Sequence, residues 1–286
     1  MSESRLPLED TFGDILRKAM RGTGTSGAAL AAATGIPESR IAAWLKDDGT
    51  AGDAETQALS RALHLDAATL AESAEERWYP APVERHDVRR HAQHPHPSNG
   101  YVFFTEGGRE AALVDPAGAQ HAHLHVLREG GYGLRYILIT HKHADHCDAA
   151  GAVAREYPEA QIVMHGLDVG AIGPLAGDAR PVRDGETLPF AGGDVLMLHT
   201  PGHTDGSSCF LYRSRSDAAG VLFTGDTLFA GSVGGAFGDA STYADILRSV
   251  DEKIFSLEGR TLLMPGHGPP TTLALAREHN PFFQRG

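Results

Sequence analysis

The chain has 286 residues, a net charge of −12 and 41% hydrophobic content, enough for a sizeable core in one or two domains. The acidic balance disfavours bulk attraction to nucleic acid or anionic membrane, and no apolar run of about 18 residues offers a transmembrane helix. Two cysteines, Cys147 and Cys209, are too few for a disulfide scaffold, and the opening "MSESRLPLEDTFGDILRKAM" lacks a signal-peptide pattern, so the expected location is the cytoplasm.

Residues 11 to about 77 read as helices. "TFGDILRKAM" puts Phe12, Ile15, Leu16 and Ala19 on one face at the 3.6-residue period. "TSGAALAAATGI" and "PESRIAAWLK" follow as two short helices, with Gly35 in the turn and Pro37 in the first turn of the second. "DAETQALSRALHLDAATLAESAEE" supplies the last helical material, with Leu59, Ala62 and Leu63 on one face. The short helix, turn and second helix resemble a phage-repressor helix-turn-helix, which implies Ser39, Arg40 and Lys46 on or beside a recognition helix. Residues 1–79 carry 8 Lys+Arg against 13 Asp+Glu, a net of 8 − 13 = −5. A domain that grips phosphates is usually basic, so a bundle used for packing or for pairing two protomers is the favoured expectation over DNA binding.

"WYPAPVERHDVRRHAQHPHPSNG" interrupts the helical period with prolines and places a boundary near residue 80, giving a helical domain 1–79 and a second domain 80–286. Beyond it, candidate strands "YVFFT", "EAALVD", "YILIT", "QIVMH", "DVLMLHT", "SCFLY", "GVLFTG" and "TLLMPG" interleave with candidate helices "AQHAHLHVLRE", "CDAAGAVARE", "STYADILRSVDEKIFSL" and "TLALAREH". Apolar strands alternating with helices predict an α/β fold with helix-covered sheets.

The chemistry concentrates in "ILITHKHADHCDAAG". His141 and His143 follow an apolar strand, and Asp145 and His146 fall where the next helix begins. Three further loops, each after an apolar strand, add His203 ("TPGHTDGSSCF"), Asp226 ("TGDTLF") and His267 ("PGHG"). Gly202, Gly225 and Gly266 precede these ligands, where glycine permits tight or left-handed turns. Five imidazoles and two carboxylates suffice for two metals bridged by one carboxylate, and borderline nitrogen with hard oxygen suits Zn, Fe or Mn.

The four motifs, in this order, resemble the metallo-β-lactamase superfamily in its glyoxalase II-like branch, over roughly residues 83–286. The resemblance implies an αββα sandwich with a dinuclear site at one edge. His141, His143 and His203 would hold one ion, Asp145, His146 and His267 the other, and Asp226 would bridge them. It further implies a hydrolase of thioesters, S-acyl glutathione or a similar small thiol conjugate, in which a hydroxide shared by two divalent ions attacks the carbonyl. Asp145 would orient that nucleophile. The tail "TTLALAREHNPFF" resembles the end of single-domain hydrolases of this branch. Only 19 residues follow His267, against a C-terminal helical domain in full-length glyoxalase II, and "GGAFGDAS" departs from the branch's usual pattern, so the thiol carrier stays open.

A related branch, the persulfide dioxygenases, is the alternative: His141, His203 and Asp226 would form a two-His-one-carboxylate iron triad. The other alternative is a DNA-binding regulator whose metallo-domain only senses a ligand. Among the remaining histidines, His121, His123 and His125 are expected on a solvated helical face, because i and i+2 do not share a face. His94 and His96 are candidates for a loop over the site. Cys147 is expected to pack as a small hydrophobe, and Lys142 to point to solvent.

Overall fold

The structure, a computed structural model, describes residues 6–83, 85–92, 98–105, 108–116, 118–190, 192–237 and 240–284. Five helices come first: α1 (Phe12–Thr23), α2 (Gly27–Thr34), α3 (Glu38–Trp44), α4 (Asp53–Leu63) and α5 (Ala67–Ala74). Thr11 caps α1, accepting from the Asp14 amide while the Asp14 carboxylate accepts in return, and Gly24 closes it in the left-handed conformation. The last helical stretch forms two helices. His64 turns left-handed at the end of α4 and Asp66 caps α5 through the amides of Ala68 and Thr69, so capping chemistry overrides the continuous helical period. The α2–Gly35–α3 turn is present. Arg40 on α3 pairs with Glu55 and lies over the Trp44 ring.

The rest is built on two six-stranded sheets. The first runs β1 (Val88–Ala92), β2 (Asn99–Phe104), β3 (Glu110–Val114), β4 (Gly133–Leu138), β5 (Gln161–His165) and β6 (Arg180–Val182) in spatial order. Pairs β1/β2 and β2/β3 are antiparallel and the later ones parallel. The second has the order β14 (Thr271–Thr272), β13 (Leu262–Pro265), β10 (Asp217–Gly225), β9 (Ser208–Ser214), β8 (Gly193–His199) and β7 (Thr187–Phe190). A two-stranded ribbon, β11 (Leu228–Phe229) with β12 (Ser232–Val233), follows β10.

Period-two alternation sorts these strands into layers. Tyr101 and Phe103 of β2 point inward with Val195, Phe210 and Phe223 of the second sheet, forming the core between the sheets. Val102 and Phe104, one residue out of phase, face α6 (Gln120–Glu129) and α8 (Ala150–Glu156) through Leu124, Leu127 and Val153. On the far side, Cys209, Leu211, Leu222 and Leu263 turn away from the inter-sheet core. They meet α10 (Tyr243–Ser249) and α11 (Leu273–Glu278) through Ile246 and Ala276. The layer order is αββα, as the motifs implied. That outer cluster also contains Ile15, Leu16, Leu30, Trp44, Leu59 and Leu70, so the N-terminal helices share one apolar cluster with the helices on the second sheet. Two short helices, α7 (Ala144–Cys147) and α9 (Gly166–Val169), follow β4 and β5. No helix among the described residues is long and apolar enough to cross a membrane.

Candidate metal centre

The seven side chains singled out by the motifs come together at one edge of the sandwich. His141 and His143 lie in the loop after β4, Asp145 and His146 on α7, His203 between β8 and β9, Asp226 directly after β10 and His267 two residues past β13. Three donor groups have ligand atoms within 4.8 Å of one another: His141–His143–His203, His141–His146–Asp226 and Asp145–His146–His267. Nδ1 of His143 lies 3.0 Å from Nε2 of His141 and 2.8 Å from Nε2 of His203. Nε2 of His146 lies 3.4 Å from Nε2 of His267 and 3.3 Å from Oδ1 of Asp226. Asp226 Oδ2 reaches His203 and His267 at 3.5 and 3.6 Å, and Asp145 Oδ2 reaches His267 at 3.4 Å.

The outer hydrogen bonds decide which ring nitrogens are bare. His203 Nδ1 donates to the Gly235 carbonyl (2.7 Å) and His146 Nδ1 donates to the Asp115 carboxylate (3.0 Å). Thr140 gives its hydroxyl proton to Asp115 (2.7 Å), so it accepts from His141 Nδ1 (3.0 Å). Each bond leaves the neutral ring's Nε2 lone pair facing the cluster, the tautomer a metal ligand needs. Asp226 Oδ1 is buried and has no hydrogen-bond partner among the described residues. Bare lone pairs converging on an orphaned carboxylate oxygen form a donor set that fits divalent cations.

The proton affinities follow the same logic. Burial, with His146 and His203 beside it, holds His141 well below the ordinary imidazole range. Burial also lowers His203. At His146 burial opposes charge, but Asp226 and Asp115 outweigh it and raise the ring well above its usual value. At Asp226 burial is likewise outweighed by His146, His267 and His203, which hold the carboxyl well below the usual range. Positive charge is favoured at the centre of the cluster, where an ion would replace a proton.

Three positioning residues escaped the sequence reading. Asp115, 1% exposed and in the left-handed region at φ +48°, accepts from the Thr140 amide (2.8 Å), the Thr140 hydroxyl and His146. Asp168, fully buried, accepts from the Lys142 and Gly206 amides (both 3.1 Å) and the Thr204 hydroxyl (2.7 Å), tying the His141 loop to the His203 loop. Asn99 on β2 donates to the carbonyls of Pro265 (3.0 Å) and Gly268 (2.8 Å), fixing the His267 loop to the opposite sheet. Each is a lone residue with no spacing signature.

Gly202 and Gly225 adopt positive φ, at 144° and 47°, as expected before a ligand. Gly266 serves close approach instead: a Cβ there would lie 2.4 Å from Asp226 Oδ1 and 2.7 Å from His146 Cε1. His121 and His125 are exposed as expected, but His123 is fully buried. It shares the inner face of α6 with Leu124 and Leu127, and neither ring nitrogen has a hydrogen-bond partner among the described residues. Lys142 does not simply point to solvent; its Nζ leans to 4.0 Å from Asp168. Cys147 packs in the outer core as expected, and burial pushes its thiol up to about 12. His94 and His96 lie outside the described residues. At the mouth, Phe237 is 61% exposed and stands edge-on to His203 at 5.8 Å.

Comparison with known proteins places this edge in context. The family model for the metallo-beta-lactamase superfamily matches residues 95–270. A Mycobacterium leprae protein is 32% identical over 206 residues, covering 65% of this chain and 93% of its own. The hydroxyacylglutathione hydrolase GloC of Haemophilus influenzae is 29% identical over 194 residues, covering 61% of this chain and 88% of its own. Among solved structures, TTHA1623 in a di-iron-bound form superposes with a TM-score of 0.55 at 28% identity, covering 72% of this chain and all of that one.

Proposed function

The chain belongs to the metallo-β-lactamase superfamily, and on that premise we propose that it is a dinuclear metal-dependent hydrolase acting on a thioester of a small thiol. The observation that carries this reading is the buried Oδ1 of Asp226, which lies 3.3 Å from His146 Nε2 beside the imidazole groups and has no hydrogen bond among the described residues. His141, His143 and His203 would hold one ion and Asp145, His146 and His267 the other, with Asp226 beside both groups. Ions held there supply Lewis acidity and a nucleophilic water at neutral pH.

The chain's own residues do the rest. Asp145, with a side chain 30% exposed, faces the opening and is placed to orient a water and take up its proton at Oδ. Its backbone carbonyl accepts from the Ser98 hydroxyl, which holds α7 against the strand opening at Asn99. Phe229 and Phe237 stand edge-on to His267 and His203, apolar surface beside the cluster for the substrate's acyl part. With the nucleophile drawn from solvent, neither cysteine is needed; both thiols are buried and pushed to high pKa. The likeness to GloC supports an S-acyl thiol as the substrate class, and the di-iron relative supports two metal positions.

Asp226→Ala tests the reading. Metal content and thiol release from an S-acyl glutathione panel are expected to fall together; thioester turnover that survives the change refutes it. One iron per chain in the unmodified protein, with oxygen uptake on a persulfide, would replace the hydrolase by the dioxygenase alternative.

A further inference from the structure

The family match begins at residue 95, yet a segment from the first eleven residues lies against the metal centre. His141, His146 and His203 each have the ring nitrogen away from the cluster fixed by a partner: Thr140, Asp115 and Gly235. All three partners lie within the family match. His267 is different. Its Nε2 faces Asp145, Asp226 and His146, while Nδ1, on the opposite edge, faces Glu9 Oε2 at 3.8 Å.

Glu9 is held there by its neighbours. The next carboxylate, Asp10, pairs with Lys18 of α1 at 2.5 Å and accepts from the Ser232 hydroxyl, and Lys18 donates to the Val233 carbonyl at 2.7 Å. Ser232 and Val233 form β12, a few residues beyond Asp226. Thr11 then caps α1. The Glu9 backbone runs beside the His267 loop closely enough that a Cβ on Gly268 would lie 3.1 Å from its amide nitrogen. The side chain itself is 35% exposed, so it has room to close the remaining gap to Nδ1.

We propose that Glu9 is the outer carboxylate of His267: it accepts the Nδ1 proton, fixes the ring's tautomer and orientation, and thereby makes the N-terminal helical segment part of the metal centre. Metal-bound histidines generally donate their other N–H to such a partner, and its removal costs about 10–100-fold in metal affinity. The proposal rests on the assignment of His267 as a metal ligand under the hydrolase reading. Glu9 is a positioning residue, since it touches a ligand and not the reacting atoms.

The test uses the full chain with Zn(II) and Co(II) as probes. Glu9→Ala, Glu9→Gln and His267→Ala are titrated against a chromophoric chelator, with Co(II) visible spectra and apo-protein circular dichroism recorded for each. The expectation is that Glu9→Ala weakens one of two ions about 10–100-fold, shifts the Co(II) bands and leaves the apo fold unchanged. Glu9→Gln, whose amide oxygen still accepts from Nδ1, should recover part of that loss, which a packing defect alone would not do. If His267→Ala loses one ion while Glu9→Ala keeps both with an unchanged spectrum, the role of Glu9 is overturned and the ligand assignment stands. If His267→Ala also keeps both ions, the ligand assignment fails and the role of Glu9 falls with it.

Discussion

Asp115→Asn isolates the worth of the hydrogen bonds behind the metal centre. The carboxylate of Asp115 is acceptor-only and takes three donors: the Thr140 amide at Oδ1, and the Thr140 hydroxyl and His146 Nδ1 at Oδ2. Asparagine has the same shape and tolerates the left-handed backbone found there at φ +48°. It offers one oxygen, however, and its NH₂ must face a donor in either orientation. If it faces Thr140 N–H, a buried amide loses its acceptor. If it faces the other pair, His146 is driven towards the tautomer with its proton on Nε2, the nitrogen needed by an ion. An unmet buried donor costs about 1–3 kcal/mol, comparable to the 10–100-fold loss of metal affinity typical of outer-shell changes. Chelator competition with Zn(II), paired with thioester turnover at saturating metal, reads both quantities. Affinity within about twofold of the unmodified protein would show that tautomer control by Asp115 does not matter, and would remove the reasoning built on it.

Gly266→Ala places a methyl 2.4 Å from Asp226 Oδ1 and 2.9 Å from the Gly225 carbonyl carbon. It should cost about 1–3 kcal/mol in stability and about 100-fold in turnover through displacement of the shared carboxylate; near-normal turnover with full metal content would contradict it. Burial, with His91 beside it, pushes His123 down to about 3 in the folded chain, against an ordinary value near 6.5. Between those values the unfolded state takes a proton that the folded state refuses, so stability falls as pH drops below about 6.5, by about 1.4 kcal/mol per pH unit from this one group. His123→Leu should therefore lose about 2 kcal/mol less than the unmodified chain between pH 7 and pH 5 in urea titrations, and equal losses would refute the assignment. Lys18→Ala leaves buried Asp10 without its cation and should destabilise by about 3–5 kcal/mol, whereas Lys18→Met with Asp10→Leu should recover most of that. A single-variant loss below about 0.5 kcal/mol would mean the pair is not a staple.

The eight strands anticipated from apolar runs are those in or next to the middle of a sheet, where both faces are covered. β1, β6, β7 and β14 were not anticipated because they lie at or next to sheet edges without a continuous apolar run, with "VRRHA" polar and "RPV" and "TLPF" interrupted by proline. The loops that carry the candidate ligands were legible because the fold delivers each at the end of a buried strand, so an apolar run followed by His or Asp marks both the loop and the side chain it presents. Asp115, Asp168 and Asn99 act through hydrogen bonds to residues 25 or more positions away, a geometry without a local pattern. His123 did have a signal: it stands four residues before Leu127, on the same buried helical face.

Placing Glu9 on His267 has a thermodynamic consequence that reaches the whole N-terminal layer. The outer face of the second sheet shares one apolar cluster with α1, α2, α3, α4 and α5, and the segment entering α1 is pinned at Asp10 beside β12. If docking of that segment raises ion affinity by some factor, linkage requires the ion to favour the docked segment by the same factor. A factor of about 10–100 corresponds to about 1.4–2.8 kcal/mol. Metal loading should therefore slow hydrogen exchange at the first turn of α1 by up to that factor, and Glu9→Ala should abolish the difference between apo and loaded protein. Exchange at the α1 cap that ignores the ion would mean the helices cover the sheet without sensing the metal. Exchange that follows the ion would make the bundle's docking part of the energetics of the metal centre.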